Sequence, residues 1–528
     1  MPSTSFLERL KPSSVFKNTR RSQSPTKKAL QCPISCLPDE ILSSIFVLCL
    51  PKIEETRAEM NGSIMKRSIT GQRPLWISSR SAPLNVSHVC RSWRSIALST
   101  AKLWSKLAIQ GTTSSRGYHA KRELAILTSF MQRNAEAPLD ILVDINVPVD
   151  LASMDTYMMQ CIQLLVAQKH RWRSVHLVYC FCQVRIIAPI LAGLVQEASP
   201  SVSELYFCMH SCSVEKNRDV TPTFFHPSLP GLTKLTLFSR GTQYDLSGCP
   251  QLRELSITSP TSLKDVKQWL IRCPTLETVS FGRVNVYNSL EKELNHGTAT
   301  SSIETLTSLR SLSLYFDIAS DLEYRVSNRA INGFLSSFSL PYVSNLILSL
   351  HPSAKVGKCL DIRPIICLLK ASNPPIMSLD IHNFSISSDN QSPDKSFGAP
   401  EQQMADLCRL TEGVQQLIIN GDTVDSILNG VDIEEAEPRS HDYVNLWPKL
   451  EGLVVTNPRE ITVKSLLRFA QEHSSPDSTS SPLKHLTIHE CGRGSSERRR
   501  IRQVILKSPQ SSRCRETGLQ LRFSTSQE

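Results

Sequence analysis

The sequence predicts an α/β protein: a small N-terminal helical domain followed by an irregular solenoid of parallel strands with helices on the convex side. Two observations predict this fold. Residues 32–109 carry two short amphipathic helical blocks, and residues 171–491 repeat one apolar pattern that is typical of a buried strand. The 528 residues exceed a single typical domain, and a repeat array accounts for the excess.

The net charge of +11 is concentrated at the two ends of the chain. Residues 1–31 hold seven Lys and Arg against one acid, and residues 493–507 hold six against one, so the remainder is neutral. The composition of residues 1–31 predicts a disordered basic tail, with a nuclear-import or phosphorylation-regulated segment left open. A neutral body gives no electrostatic reason to expect nucleic acid as a partner.

Neither a membrane nor a secretory pathway is expected from the apolar segments. The most apolar stretch, residues 176–195, is interrupted by Gln183, Arg185 and Pro189, so it is too short to cross a bilayer. Residues 1–10 lack the apolar core of a signal peptide, and the 16 cysteines are scattered. We therefore expect a cytoplasmic or nuclear protein, or one found in both places, with reduced thiols.

The first helical block starts at Leu37. Pro38 stands where a helix begins, and Asp39 and Glu40 follow at its positive end. Apolar residues then cover more than half of the helix surface, so we expect a packing partner on each side. These residues are Ile41, Leu42, Ile45, Phe46, Leu48 and Cys49.

The second block predicts two more helices. Ser87 is expected to cap a helix that carries Val89, Cys90, Trp93, Ile96 and Ala97, and Thr100 a last short helix with Leu103, Trp104 and Leu107. A polar insertion at residues 52–82 is predicted to be a loop between the two blocks.

Together, the segments LPDEILSSIF, VCRSWRSIA and LW resemble an F-box, especially the F-box-like domain of large fungal families. The resemblance implies a three-helix module that binds the Skp-type adaptor of SCF ubiquitin ligases and, through it, a cullin scaffold. A helical cap without any partner is the alternative. The adaptor-binding positions that the resemblance implies are Leu37, Pro38, Ile41, Leu42, Ile45, Phe46, Val89, Cys90, Trp93 and Ile96.

After a connector with the first strand and helix units at residues 110–170, an apolar-x-x-apolar-x-apolar pattern recurs eleven times at spacings of 20 to 38 residues. The recurrences resemble degenerate leucine-rich repeats without their asparagine ladder, and residues 492–528 are predicted to be a basic C-terminal cap and tail. One unit cannot bury its own apolar side, so the units must stack. An ordinary parallel α/β domain is the alternative. The recurrences start at Trp172, Val202, Leu232, Leu252, Leu276, Leu309, Val343, Ile376, Val414, Leu450 and Leu483.

Within each recurrence, the residue between the last two apolar positions should face away from the core, because strand side chains alternate. Toward the C-terminal end these residues are Ile347, Asp380, Ile418 and Val454, and we expect them to bind a protein substrate.

No motif for catalysis or cofactor binding is present, so we expect a non-catalytic protein without cofactor or metal. The nearest metal-like group is Cys180, Cys182, Cys208, His210 and Cys212, which we interpret as core thiols on strands. The sequence thus predicts a substrate-recognition subunit of an SCF-type ubiquitin ligase. A leucine-rich scaffold acting outside ubiquitination is the alternative.

Overall fold

A computed structural model gives the fold. The predicted basic tail at residues 1–31 and residues 52–81 of the predicted insertion lie outside the described residues. The described residues are 33–50, 82–110, 117–145, 151–180, 184–195, 201–210, 224–225, 229–238, 243–286, 303–318, 324–350, 360–381, 384–385, 400–420, 424, 447–456, 460–473, 483–490, 495–516 and 518–525.

The α-helices fall into a small N-terminal group and a series that alternates with strands. Short 3-10 helices lie at Pro33–Cys36, Ala101–Trp104 and Lys169–Arg171. The α-helices are α1 (Asp39–Leu48), α2 (Ala82–Ser87), α3 (Arg91–Ser99), α4 (Gly117–Asn134), α5 (Leu151–Val166), α6 (Val184–Val195), α7 (Leu263–Arg272), α8 (Tyr324–Leu335), α9 (Arg363–Ser372), α10 (Pro400–Leu410), α11 (Glu460–His473), α12 (Ser495–Lys507) and α13 (Pro509–Glu516).

Most strands belong to one large sheet, and three two-stranded ladders lie apart from it. The strands are β1 (Lys106–Gln110), β2 (Leu139–Ile145), β3 (Trp172–Cys180), β4 (Glu204–His210), β5 (Phe224–Phe225), β6 (Lys234–Phe238), β7 (Gln243–Tyr244), β8 (Glu254–Ile257), β9 (Thr261–Ser262), β10 (Thr278–Asn285), β11 (Glu304–Thr305), β12 (Ser311–Asp317), β13 (Phe338–Ser339), β14 (Asn345–Leu350), β15 (Leu360–Asp361), β16 (Ser378–Ile381), β17 (Phe384–Ser385), β18 (Gln416–Asn420), β19 (Gly452–Thr456), β20 (His485–Glu490) and β21 (Gln520–Thr525).

The large sheet is parallel, and its strand order follows the chain. Neighbours run β1-β2-β3-β4-β6-β8-β10-β12-β14-β16-β18-β19-β20-β21, and β9 pairs with β10 at the margin. Parallel neighbours need a crossover connection between them, and helices supply it at many steps. The protein is therefore mixed α/β with a largely parallel sheet, and each of the eleven sequence recurrences places a strand in that sheet.

The core is built by rows of apolar side chains that cross the sheet from strand to strand. In the central row no residue is more than 3% exposed. Helices close the same core, as where Trp269 of α7 stacks on Phe281 of β10 at 5.9 Å between ring centroids. The row consists of Leu107, Ile141, Val175, Leu205, Leu235, Leu255, Val279, Leu312, Leu346, Leu379, Leu417, Leu453 and Leu486.

Where the strands begin, main-chain hydrogen bonds form a regular ladder that we name the edge ladder. The carbonyl of Glu277, for example, accepts from the N–H groups of Arg310 and Ser311, at 2.8 and 3.0 Å. These bonds join each strand to the next through the main chain. The N–H and carbonyl groups at the strand starts are therefore paired, although an asparagine ladder is missing. Among the described residues nine carbonyls accept in this way, those of Ser203, Thr233, Arg253, Glu277, Arg310, Ser344, Met377, Gln415 and Glu451.

The sheet extends beyond both limits that the sequence suggests. It begins at Lys106, inside the segment 32–109 that we assign to the helical domain, and it ends at Thr525, inside the predicted C-terminal cap and tail. Strand β21 pairs with β20 over six residues. Its apolar residues Leu519, Leu521 and Phe523 simply alternate, so the three-residue offset used to find the other strands does not occur there.

Candidate functional site

The N-terminal end of helix α1 is stabilised by main-chain hydrogen bonds and by its charges. Pro38 is its N-cap, and the carbonyl of Pro38 accepts from the N–H groups of Ile41 and Leu42, both at 3.1 Å. Asp39 and Glu40 lie in the first turn, where the helix dipole favours negative charge. The predicted start is therefore correct to within one residue, and the helix holds its side chains in fixed directions.

One side of α1 packs into the domain. Leu42 and Phe46 are only 3% and 1% exposed, and the Phe46 ring lies 4.8 Å from that of Trp93 on α3. The hydroxyls of Thr100 and Ser43 are hydrogen-bonded at 3.1 Å, which ties α1 to the end of α3. This side of α1 stabilises the domain and is closed to any partner.

The other side of α1 carries apolar residues that stay exposed in the described structure, from 36% for Ile45 to 84% for Leu48. Ile41, Ile45 and Leu48 lie within about 60° of one another at 100° per residue, and Leu48 is 84% exposed. Ile34 and Leu37 precede the helix and are also exposed. We name Ile34, Leu37, Ile41, Ile45 and Leu48 the exposed apolar band.

The second block differs from its prediction. Helix α2 ends at Ser87, and α3 begins only at Arg91, with Cys90 as its N-cap through a sulfur that accepts from the N–H of Trp93 at 3.4 Å. The predicted cap at Ser87 is wrong, because its hydroxyl donates backwards to the Leu84 carbonyl at 2.8 Å. Thr100 also bonds backwards, to the Ile96 carbonyl at 2.7 Å, although the short helix after it exists.

The ten positions that the resemblance implies for adaptor binding separate into three groups. The structure buries Leu42, Phe46 and Ile96, and Trp93 is half-buried. Six positions are exposed, namely Leu37, Pro38, Ile41, Ile45, Val89 and Cys90. Two exposed residues that the implied set omits, Ile34 and Leu48, extend the same surface. Leu48 could have been found because it follows Ile41 by seven residues, two helical turns on the same side.

The helical domain joins the sheet through a shared core. Trp104 is fully buried, and its indole N–H donates to the Ala97 carbonyl at 2.8 Å. Its ring meets Phe130 of α4 edge-on, with centroids 4.9 Å apart, and Arg133 lies over it at 4.5 Å. Burial and the charge of Arg94 lower the pKa of Arg133. A surface on α1 is therefore held at a fixed position relative to the first strands.

A second candidate site lies on the face of the sheet opposite the shared core, which we name the open face. The predicted substrate-binding residues are consecutive neighbours there: Ile347 pairs with Asp380, Asp380 with Ile418, and Ile418 with Val454. All four are half-exposed. Burial, and secondly the charge of Asp380, raises the pKa of Tyr315 on the same face.

In the N-terminal part of the open face, the side chains are buried. His176 and Tyr206 are at most 8% exposed, and their rings stack with centroids 5.5 Å apart. The imidazole Nε2 of His176 lies 2.9 Å from the Ser174 hydroxyl and 3.6 Å from the Glu204 carboxylate, and His176 lowers the pKa of Glu204. The half-exposed row therefore starts at Thr236 and, apart from the buried Ser313, continues toward the C-terminal strands.

Within the described ranges no group of His, Cys, Asp and Glu could hold a metal ion. Cys180 and Cys208 are buried on β3 and β4, while Cys182 and Cys212 lie outside the described residues. Across the helices that the structure describes, none combines the length and apolarity needed to cross a membrane.

Comparison with known families assigns the helical domain. Residues 34–110 match the family described as F-box-like, so the chain contains an F-box-like domain at its N-terminus. The matched segment includes the exposed apolar band, both helical blocks and β1. No curated protein matches the chain.

Proposed function

We propose that this protein is a substrate-recognition subunit of an SCF-type ubiquitin ligase. The F-box-like domain binds a Skp-type adaptor and, through it, a cullin scaffold, and the sheet binds a protein target in the cytoplasm or the nucleus. The observation that carries the proposal is the exposed apolar band inside a domain of a family whose members typically bind such adaptors.

The distribution of exposed apolar side chains supports the adaptor site. Seven of the twelve large apolar side chains that are exposed in the described residues lie between Ile34 and Leu98. Apolar side chains gathered on one surface mark interaction sites, whereas scattered ones need no explanation. The band is long and narrow, which fits a groove formed by helices of a partner.

We further propose that the sheet is an irregular leucine-rich-repeat solenoid with its helices on the convex side. The strands follow chain order with units of unequal length, and the edge ladder joins each unit to the next. A target would contact the open face at Ile347, Asp380, Ile418 and Val454. These residues form a half-exposed row that crosses four adjacent strands.

The proposed mechanism is proximity, and this chain performs no covalent chemistry. Bridging the target to the ligase raises the effective concentration of target lysines near the ubiquitin-charged enzyme. Trp104 joins the F-box-like domain and the first strands in one core, so the sheet follows the domain without a linker at this position.

The test is co-purification of the full chain with a Skp-type adaptor. We expect wild type to co-elute with the adaptor in size-exclusion chromatography, and the double variant Leu37→Ala/Ile41→Ala to lose most of it. Ile271→Ala is the matched control, since Ile271 is similarly exposed on α7 but lies outside the band. Absence of any wild-type complex would reject the ligase proposal and favour a scaffold outside ubiquitination.

A further inference from the structure

Among three consecutive rungs of the edge ladder, Arg310, Ser344 and Met377, the first and the third carry large exposed side chains. The Arg310 carbonyl accepts from Ser344 at 2.9 Å, and the Ser344 carbonyl accepts from Met377 at 2.8 Å. Adjacent strands lie about 4.8 Å apart, so the main chains at Arg310 and Met377 are about 10 Å apart. These rungs stand at the starts of β12, β14 and β16.

An aromatic residue completes this surface. The guanidinium carbon of Arg310 lies over the Tyr342 ring, 4.9 Å from its centroid. Tyr342 is 48% exposed and Met377 is 49% exposed, although both are large and apolar for most of their length. We name Arg310, Tyr342 and Met377 the edge patch. Arg, Tyr and Met are residue types enriched at protein interfaces.

No carboxylate of the described residues forms an ion pair with Arg310. Other charged residues of the edge ladder pair with a rung neighbour: Arg253 lies 3.3 Å from Glu277, and Lys484 lies 2.9 Å from Glu451. Among the described residues the only side-chain partner of the exposed Arg310 guanidinium is the Tyr342 ring. Stacking on a ring orients a guanidinium and leaves its N–H donors available.

This arrangement selects one kind of ligand. A guanidinium offers a planar fork of donors that matches a carboxylate, and a ring and a thioether beside it offer apolar contact. A polyanion fits poorly, because the adjacent rung is the acidic Glu277 and only one cation is unpaired here.

We propose that the edge patch docks an acidic peptide segment of a protein partner. A carboxylate of the segment pairs with Arg310, and a neighbouring apolar side chain lies against Tyr342 and Met377. The inference rests on the proposed function only where it identifies this partner as a ligase target. Met377 directly precedes β16, the strand that carries Asp380 of the open face.

The test uses the full chain and a phage-displayed random-peptide library. We expect enriched peptides to share Asp or Glu beside a large apolar residue, and synthetic copies to bind wild type in fluorescence polarisation. Arg310→Glu and Tyr342→Ala should each weaken binding by about tenfold or more. Arg310→Glu removes hydrogen bonds to a charged group, which are the stronger class. Tyr342→Ala removes the ring that orients the guanidinium. Arg499→Glu, at an exposed arginine of α12, should leave it unchanged.

Several results would overturn the docking proposal. They are failure of wild type to enrich any peptide, enriched peptides without an acidic residue, equal binding by Arg310→Glu, and stronger binding of heparin than of the peptides. Adaptor binding by the same variants separates the two proposals. Peptide binding that persists without adaptor binding would sustain the edge patch and reject the ligase role, and the reverse outcome would reject only the edge patch.

Discussion

The two sides of α1 should respond in opposite ways to truncation. We expect Leu48→Ala to weaken adaptor binding and to leave folding almost unchanged, whereas Phe46→Ala should lower the free energy of unfolding. Leu48 is 84% exposed and Phe46 is 1% exposed on the same helix, so each variant is a control for the other. Alanine is the best helix former, so neither substitution weakens the helix through propensity.

The expected magnitudes follow from burial. A fully buried leucine side chain contributes about 1.5–3 kcal/mol, and most of the Leu48 side chain is still available for burial by a partner. Leu48→Ala should therefore cost about 1–2.5 kcal/mol of binding, which is about 5- to 70-fold in Kd. Its free energy of unfolding should change by no more than about 0.5 kcal/mol, as for other surface substitutions.

For Phe46 the balance is reversed. Removing a buried phenylalanine costs about 3–5 kcal/mol of stability, which includes its contact with Trp93. Isothermal titration with the adaptor would measure Kd, and urea unfolding followed by tryptophan fluorescence would measure stability. Equal destabilisation by the two variants would refute the assignment of the two sides. An unchanged Kd for both Leu48→Ala and Ile41→Ala would refute the exposed apolar band as the interface.

Three further outcomes follow from the structure. Trp104→Ala should lower the free energy of unfolding by about 3–5 kcal/mol and increase hydrogen exchange in both α1 and β2, because one core joins them; faster exchange in α1 alone would contradict a shared core. Exposed Cys90 should be alkylated quickly and be protected by the adaptor, while Cys408, whose pKa burial raises to about 12, stays unmodified at pH 8 with or without it. His176 lowers the pKa of Glu204 below its ordinary value of 4.5. The contribution of the ionised Glu204 to stability is therefore present above pH 4.5 and is lost as the pH falls through the folded-state pKa. In urea titrations at each pH, Glu204→Gln should lose less unfolding free energy between pH 7 and pH 4 than wild type.

The sequence is informative about the fold where apolar residues recur locally. The offset of three and then two residues located eleven strands, because each strand must present its side chains to one shared core. The period of two also placed Ile347, Asp380, Ile418 and Val454 away from that core, and the structure brings them together in one row. Neighbouring strands carry the same pattern, so their register follows from it.

The division of α1 into a buried and an exposed side could not be predicted from the sequence. Leu42 and Ile41 are adjacent and equally apolar, yet only Leu42 packs inward, on the side where Phe46 meets Trp93 of the second helical block. Cys90 was missed as a cap because serine is the stronger capping residue, and the turn at residues 88–90 overrides that preference. Such outcomes depend on contacts distant in sequence.

The edge patch illustrates the same limit for a functional site. Arg310 and Tyr342 are separated by about one repeat unit, and no local motif connects them. They meet because the edge ladder holds the starts of successive strands at a constant spacing. Residues that are far apart in sequence therefore lie at the starts of adjacent strands. Irregular unit length therefore leaves the spacing of the edge ladder unchanged.

The junction at Trp104 gives this geometry a consequence for function. The Asp140 N–H of β2 donates to the Ser105 carbonyl at 3.0 Å, directly after the buried indole, so the sheet starts without a linker. A flexible linker would let a bound target sample many positions and would dilute its effective concentration. With the sheet starting directly at this shared core, the distance from the exposed apolar band to a position on the open face depends on the number of strands between them. If the proposed function holds, targets held at different strands would present different lysines to the same ligase.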